Sequence, residues 1–236
     1  MAKKKNRKRI NQTVGRKLVT SVNTRSIVTE QFRTLRTNIN FSVPDKELKT
    51  FLFTSSSPGE GKSTVAANAA VVFAQEGKRV LLVDADMRKP TVHYTYHVTN
   101  TIGLSNLLTR QATLNEVLKD TEIENLQVIT CGPIPPNPAE LVGSQTMDRI
   151  IAEMKEKFDV IIFDAPPVLS VADAQILSNK SDGTILVMSA GDTEKTEVLK
   201  AKEALVSSNA NILGVVLNNF ELSKDHYYYQ YYGNAE

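Results

Sequence analysis

Apolar residues along the chain follow two alternating patterns. Six short runs rich in Val, Ile and Leu are almost uninterrupted, which is typical of strands buried on both faces of a parallel sheet. They lie at residues 50–55, 79–86, 126–132, 159–166, 183–191 and 212–219. Longer stretches with helical spacing predict helices between them, at residues 63–77, 104–119, 138–157, 171–179 and 194–208. The alternation predicts an α/β fold with three layers around a mostly parallel, doubly wound sheet.

Another stretch with helical spacing precedes the first predicted strand. Its apolar residues recur every three or four positions: Val28, Phe32, Leu35 and Ile39. They predict a helix over residues 27–42. Glu30 and Arg33 fall on the opposite face and Arg36 on its flank, an arrangement that is common on the solvated face of a helix.

Basic residues are concentrated at the start of the chain. Of the 28 Lys and Arg residues, nine lie within residues 1–29, which contain no acid, so the remainder has 19 basic against 26 acidic side chains. Residues 1–26 are therefore expected to form a flexible basic arm. The arm is either a solubilising tail or a polyanion-binding segment. Anionic lipid contributes about 1 kcal/mol per basic residue, and nucleic acid attracts such a segment equally well.

The remaining composition indicates one large domain in the cytoplasm. A length of 236 residues with 41% apolar side chains suits a single α/β core. Cys131 is the sole cysteine, which excludes an internal disulfide and fits a reducing compartment. No apolar run approaches the roughly 18 residues that span a bilayer, and the basic start lacks the apolar stretch of a secretory signal.

The first predicted strand ends in "SSSPGEGKST", which is close to the phosphate-loop pattern G-x-x-x-x-G-K-[ST]. Gly59 and Gly61 allow the backbone to curl so that successive N–H groups face one oxyanion. Lys62 supplies a point charge for the β- and γ-phosphates of ATP, and the Ser63 hydroxyl suits Mg²⁺. Ser56 replaces the first glycine of the pattern. The expected nucleotide-binding residues are Pro58, Gly59, Glu60, Gly61, Lys62, Ser63 and Thr64.

Two more predicted strands end in acids. Asp84 and Asp86 follow one strand, and Asp164 ends another, so all three should lie at the carboxyl edge of the sheet beside the phosphate loop. Mg²⁺ prefers one or two carboxylates together with phosphate oxygens, which makes Ser63, Asp86 and Asp164 the expected metal ligands. Either Asp84 or Asp86 is expected to act as a base, although aspartates at such positions also form turns and helix caps.

Two further features at these strand ends leave alternatives open. Arg88 either steadies a phosphate or anchors its own loop. Asn218 and Asn219 end the last predicted strand, where they contact adenine or cap a turn.

Five of the seven tyrosines lie within the last dozen residues: Tyr227, Tyr228, Tyr229, Tyr231 and Tyr232. Chain ends are usually exposed, so packing explains such a cluster poorly. In a chain that binds a phosphoryl donor, the cluster is expected to be the phosphoacceptor. The alternative is a low-complexity adhesive tail.

Taken together, these motifs resemble the bacterial tyrosine kinases (BY-kinases) of capsular and exopolysaccharide biosynthesis, in their split cytoplasmic form from Gram-positive bacteria. The resemblance spans nearly the whole chain, and the stretches that carry it are "EQFRTLRTN", "SSSPGEGKST", "LLVDADMRKP", "GPIPPNPAEL", "VIIFDAPPVLSVADAQ" and the tyrosine cluster. It implies a P-loop NTPase-like fold, ATP and Mg²⁺ as cofactors, and autophosphorylation of the tyrosine cluster in trans. Asp84 and Asp86 match the family's additional Walker motif, and the implied catalytic residues are Lys62, Asp84, Asp86 and Asp164.

The resemblance also implies partners and a domain layout. Glu30, Arg33 and Arg36 match a pattern that forms subunit contacts in a homo-oligomeric ring. A membrane-anchored polysaccharide co-polymerase is the implied activator, and it recruits the kinase to the inner face of the membrane. Other implied substrates are enzymes that make polysaccharide precursors, and no specific nucleic acid is implied. The domains follow as a basic arm at 1–26, a P-loop kinase domain at 27–224 and a tyrosine-rich tail at 225–236.

Two rival functions fit the same phosphate loop. A partitioning or positioning ATPase shares the fold, but many of these carry a signature lysine where this chain has Ser57, and they lack a terminal tyrosine cluster. A nucleotide-bound adaptor without phosphotransfer differs from a slow kinase only in an assay. Kinase motifs of the eukaryotic type, H-R-D and D-F-G, are missing.

Overall fold

The computed structural model describes residues 15–43 and 47–221. Residues 1–14 of the basic arm and the whole tyrosine cluster lie outside the described residues. The seven strands are β1 Thr50–Ser55, β2 Val80–Asp84, β3 Lys119–Asp120, β4 Leu126–Ile129, β5 Val160–Asp164, β6 Gly183–Ser189 and β7 Ile212–Asn218.

These strands form one sheet in the order β3-β4-β2-β5-β1-β6-β7. Neighbouring strands pair in parallel, except that the two-residue β3 runs antiparallel to β4. The four central strands are buried on both faces, as their uninterrupted apolar runs predict. The sheet therefore confirms the predicted α/β class and all six predicted strands.

Helices cover both faces of the sheet. They are α1 Val19–Val22, α2 Ile27–Phe41, α3 Lys62–Ala74, α4 Val92–Thr95, α5 Leu104–Leu108, α6 Leu114–Val117, α7 Pro138–Gly143, α8 Gln145–Lys157, α9 Asp173–Lys180 and α10 Lys195–Ser207. One apolar cluster packs α2, α3 and α4 against the sheet, and a second packs α5 to α10 against the other face. Within the described ranges, no helix has the length and apolar character needed to cross a membrane.

Two predicted helices are each divided in the structure. The helix predicted over 104–119 is wrong: the chain turns at Arg110, which has a positive φ of 59°, and restarts where Thr113 and Glu116 form a capping box. The helix predicted over 138–157 is also wrong, because Ser144 separates α7 from α8 and its hydroxyl accepts a hydrogen bond from Met147 N–H. In both places the apolar spacing continues across a polar cap, so periodicity alone misses the break.

Part of the expected basic arm packs against the domain. Thr20 is fully buried, and both its N–H and its hydroxyl donate to the side-chain carbonyl of Asn68, at 3.1 and 3.0 Å. The Gln75 amide donates to the Thr20 carbonyl at 3.0 Å. Residues 15–26 therefore differ from the flexible arm that their composition predicts, because these polar contacts and the packing of Leu18 against the core hold the segment on the domain.

The amphipathic prediction for α2 holds for three of its four apolar residues. Ile39 is buried, and Phe32 and Leu35 pack partly buried against the core. Val28 is 44% exposed, and the neighbouring Thr29 is buried in its place. Thr29 donates its hydroxyl to the Asn23 carbonyl, so a local hydrogen bond rather than apolar character places this turn of the helix.

Gly103, directly before α5, packs against the chain that follows β4 with almost no space between the two backbones. A Cβ atom there would lie 2.1 Å from the Thr130 carbonyl oxygen and 2.4 Å from the Gly132 nitrogen. Gly103→Ala is therefore expected to lower the free energy of unfolding by about 3 kcal/mol, the upper end of overpacking costs. Gly214→Ala, where a Cβ meets no atom within 4 Å, is the matched control and should change it by less than about 0.5 kcal/mol. Urea unfolding measures both, and equal stabilities would contradict the tight contact.

Candidate active site

The phosphate loop connects β1 to α3, at the carboxyl edge of the sheet. Gly59 and Gly61 have φ values of +94° and +92°, which residues with a side chain rarely adopt. A Cβ on Gly61 would also lie 2.0 Å from the side-chain nitrogen of Asn218. Because α3 begins at Lys62, the positive end of this helix and its free N–H groups face the loop. This arrangement suits a bound polyphosphate.

The Glu60 side chain closes the loop from inside rather than facing a ligand. One of its carboxylate oxygens accepts hydrogen bonds from the hydroxyls of Ser56 and Thr193, both at 2.6 Å. The other accepts from the Ser57 N–H at 3.1 Å. Ser56, the departure from the usual glycine, thus supplies a bond that glycine lacks. Asn218 fixes the Glu60 carbonyl at 3.1 Å, so the loop is tied to the ends of β6 and β7.

Thr193 was not found from the sequence, yet it holds the loop through Glu60. Thr193→Val removes one of two hydroxyl donors to a nearly buried carboxylate. Hydrogen bonds to charged groups contribute about 1.5–3 kcal/mol, so we expect the KM for ATP to rise about tenfold with a smaller change in kcat. Thr193→Ser keeps the hydroxyl and should remain within about twofold of wild type. Steady-state kinetics check this, and equal KM values for the valine variant and wild type would contradict it.

Lys62 joins two acids from neighbouring strands. Its ammonium lies 2.9 Å from Asp86 Oδ2 and 3.0 Å from Asp164 Oδ1. Burial works to lower the pKa of Lys62, but the charges of Asp164 and Asp86 outweigh it and raise the pKa overall. Lys62 is therefore a cation held in place beside the two acids.

Asp84 and Asp86 occupy different environments although they are two residues apart. Asp84 is fully buried, directly opposite Asp164 in the sheet, and its Oδ2 accepts from the N–H groups of Thr91 and Val92 at 2.9 Å. Burial and the charge of Asp164 raise the pKa of Asp84 to about 8. Asp86 lines the open cleft instead. Of the two, Asp86 is the acid that a ligand can touch.

Two carboxylate oxygens at the site accept no hydrogen bond from the described residues. Asp84 Oδ1 and Asp164 Oδ2 are both buried, and neither has a hydrogen-bond partner among the described residues. A buried oxygen without a donor is costly, so Asp164 Oδ2 is an acceptor available to an incoming ion or donor.

A cleft of about 920 Å³ lies over these groups. Six of the seven expected nucleotide-binding residues line it, with Glu60 absent from its wall: Pro58, Gly59, Gly61, Lys62, Ser63 and Thr64. Asn218 and Asn219, at the end of β7, also line the cleft, but their amide nitrogens already bond Glu60 and Ser189. Arg88 and Lys89, which follow β2, line it as well.

Comparison with known proteins identifies the family. Residues 48–194 match the family model of the AAA domain. The chain is 48% identical to tyrosine-protein kinase YwqD of Bacillus subtilis (strain 168) over 236 residues, which covers 100% of this chain and 98% of the relative. It is 43% identical over 209 residues to a putative tyrosine-protein kinase, CapB of Staphylococcus aureus, covering 89% and 92%. The chain belongs to the bacterial tyrosine-protein kinases.

Solved structures agree with this family and confirm the P-loop NTPase-like fold. The chimerical protein CapA2B2 superposes with a TM-score of 0.84 at 41% identity, covering 89% of this chain and 93% of that one. The septum site-determining protein MinD of Pyrococcus horikoshii, complexed with Mg-ADP, is more distant. Its TM-score is 0.64 at 26% identity, covering 75% and 72%. The predicted resemblance to bacterial tyrosine kinases is confirmed, and the positioning ATPases are the more remote relatives.

In this bacterial tyrosine-protein kinase the three residues expected at a subunit interface are not equivalent. Glu30 and Arg33 form an ion pair on the outer surface of α2. Arg36 turns inward: its guanidinium donates to the Val72 carbonyl at 2.8 Å and lies 3.6 Å from Glu76. Arg36 thus docks α2 on the end of α3, while Glu30 and Arg33 remain accessible. The expected phosphoacceptors, Tyr227 to Tyr232, lie outside the described residues.

Proposed function

We propose that this chain is an ATP-dependent protein-tyrosine kinase that phosphorylates its own C-terminal tyrosine cluster in trans. The observation that carries the proposal is the Lys62 ammonium, held between Asp86 and Asp164 at the start of α3, within the cleft that the phosphate loop lines. Such a cluster combines a phosphate-binding cation with acids able to serve a metal and an acceptor hydroxyl. The kinase names of relatives at 48% and 43% identity support the same function.

The residues present fit ATP and Mg²⁺. A Cβ on Gly59 would meet no atom within 4 Å, so the loop is open there to a ligand, and Asp164 Oδ2 is a buried carboxylate oxygen without a partner among the described residues. Ser63, Asp86 and Asp164 are the proposed ligands of the ion, since Mg²⁺ prefers oxygen ligands. When bound, Mg²⁺ neutralises charge on the phosphates. MinD, a structural relative, was solved with Mg-ADP.

The chain's own residues divide the work of phosphoryl transfer. Lys62 offsets negative charge on the phosphates, because it is a permanently charged donor on a rigid helix. Asp86 takes the proton as the tyrosine oxygen forms its bond to phosphorus and ADP leaves. A free phenol has a pKa of about 10, so a nearby carboxylate matters. Asp84 is a positioning residue, since its contacts fix the start of α4.

The proposal extends to partners. The accessible Glu30 and Arg33 support an interface in a homo-oligomeric ring, in which the tail of one subunit reaches the cleft of another. A membrane-anchored polysaccharide co-polymerase is the proposed activator. It would recruit the kinase to the inner face of the membrane, aided by the basic residues 1–14. Regulation of capsular or exopolysaccharide synthesis, with precursor enzymes as further substrates, is the proposed role.

Mass spectrometry after incubation with Mg²⁺–ATP tests the activity. Wild type is compared with a chain truncated after Asp225, each with and without the cytoplasmic segment of the co-polymerase. We expect phosphotyrosine at Tyr227 to Tyr232 in wild type and at least about a tenfold lower total in the truncated chain. ATP hydrolysis without phosphotyrosine in any sample would favour the positioning ATPase instead.

A further inference from the structure

The Arg88 side chain is held by an ion pair with a buried acid, Asp173. Its Nε and Nη2 donate to the two carboxylate oxygens of Asp173, both at 3.0 Å, in a bidentate pair. Asp173 is fully buried at the first residue of α9, whereas the Arg88 side chain is 43% exposed and lines the cleft. The pair therefore fixes the direction of the guanidinium and leaves its remaining edge free toward the cleft.

The surroundings of Arg88 are positive. Arg16 and Lys89 line the same cleft, and neither forms an ion pair within the described part of the chain. Asp86 is the one acid in the described wall, and it is paired with Lys62. A cleft with this balance of charges favours an anionic ligand beyond the one that the phosphate loop takes.

The position of Arg88 indicates that this positive charge serves the tyrosine acceptor rather than the nucleotide. The phosphate loop follows β1, and Arg88 follows β2, two strands away and on the side opposite β7. Asp86, the proposed base, accepts hydrogen bonds from the N–H groups of Arg88 and Lys89 at 3.3 and 3.0 Å. A tyrosine hydroxyl that reaches Asp86 brings its neighbours in the chain to these two cations.

We propose that Arg88, oriented by Asp173 and assisted by Lys89, binds the phosphate of a phosphotyrosine already present in the acceptor segment. Each transfer then favours the next one on the same tail. The sequence suits this, because Tyr227 and Tyr229 are two positions apart. In any extended chain, residues with that spacing lie on one side at about 7 Å. A phosphotyrosine carries about −1.5 to −2 charges, and a planar guanidinium matches its oxygens. The inference rests on the proposed kinase function and adds a preference among its substrates.

An internal competition assay tests the preference. The full chain and Mg²⁺–ATP receive an equimolar mixture of two peptides of residues 222–236. One carries phosphotyrosine at position 229 and the other carries phenylalanine there, so both offer the same four acceptors. Competition from the chain's own tail affects both peptides equally, and mass spectrometry gives the ratio of their kcat/KM values. Wild type should prefer the phosphorylated peptide about tenfold, as one charge-assisted bidentate contact allows.

Three variants separate recognition from folding. Arg88→Gln should bring the ratio to about 1, and Asp173→Asn should give an intermediate value because the guanidinium is less well oriented. Arg79→Gln is the matched control. Arg79 forms a similar bidentate pair with Asp159, at the opposite edge of the sheet, so the tenfold preference should remain. A ratio of 1 in wild type, or an unchanged ratio in Arg88→Gln, would overturn the inference.

Binding without turnover distinguishes this inference from the proposed function. Calorimetric titration of the phosphorylated peptide should show at least about fivefold weaker binding to Arg88→Gln than to wild type. If neither peptide is phosphorylated, the kinase proposal fails, and the titration still decides whether Arg88 binds phosphotyrosine. Equal affinities in the titration would overturn the inference.

Discussion

Lys62→Met should lower the rate of tyrosine phosphorylation by at least about a thousandfold. Lys62 is the cation that the phosphate loop places on its ligand, and loss of a single charge-stabilising group from such a site costs about 10²–10³ or more. The same ammonium separates Asp86 from Asp164. Its removal therefore eliminates the phosphate contact and also leaves two nearly buried carboxylates facing each other.

Lys62→Met should also be less stable, by about 3–5 kcal/mol, as when one partner of a buried ion pair is removed. This loss of stability depends on pH because Lys62 affects the pKa of Asp84. Its pKa in the folded protein, about 8, lies above the usual 3.8, so its effect on stability is absent below about pH 4 and grows unfavourable as pH rises toward 8. Lys62 opposes that shift, so its removal raises the pKa of Asp84 further, and the variant should keep losing stability above pH 8, where the loss in wild type levels off.

Thermal unfolding at pH 5, pH 8 and about pH 9.5, together with initial rates by phosphotyrosine mass spectrometry, measures both effects. Lys78→Met is the matched control, because Lys78 is a partly exposed lysine beyond the other end of α3, where it pairs with Glu76 at 3.6 Å. It should keep full activity and lose less than about 1 kcal/mol. A Lys62→Met protein with more than a tenth of wild-type activity would contradict the assigned role.

Asp86→Asn should reduce phosphotransfer by about 10²–10⁴, the usual contribution of a general base. The asparagine has nearly the same shape and keeps an oxygen for the N–H groups of Arg88 and Lys89. It cannot take a proton, so kcat should fall by this factor. Because Asp86 is also a proposed Mg²⁺ ligand, the affinity for Mg²⁺–ATP should fall too, by a smaller factor.

Asp84→Asn is the variant to compare with Asp86→Asn. An asparagine oxygen still accepts from the N–H groups of Thr91 and Val92, and the change removes a buried acid. We expect a loss of about tenfold or less. Initial rates and ATP titrations of the two variants decide between the acids, and a larger loss in Asp84→Asn than in Asp86→Asn would assign the base to Asp84.

Local patterns account for much of this molecule. Strand ends were predictable because buried parallel strands need unbroken apolar runs, and the same runs place Asp84 and Asp164 at one edge. The phosphate loop was predictable because glycine backbone conformations and the following helix are encoded within ten residues. The divided helices were not, since the caps at Thr113 and Ser144 interrupt the backbone without interrupting the apolar spacing.

Contacts between distant residues explain what the sequence could not give. Thr193 meets Glu60 across 133 positions, and Asp173 meets Arg88 across 85. Neither pair has a spacing that a single sequence reveals. The burial that distinguishes Asp84 from Asp86 has the same origin, because it depends on where the loop before α4 folds back.

A mixing experiment tests whether one chain phosphorylates the tail of another. Full-length Lys62→Met, which has a tail but no working cleft, is incubated with Mg²⁺–ATP and a chain truncated after Asp225, which has a cleft but no tail. Mass spectrometry then measures phosphotyrosine on each chain, with the co-polymerase segment present. We expect phosphate at Tyr227 to Tyr232 of the Lys62→Met chain only in the mixture. Its absence there, under conditions in which wild type phosphorylates itself, would contradict transfer in trans.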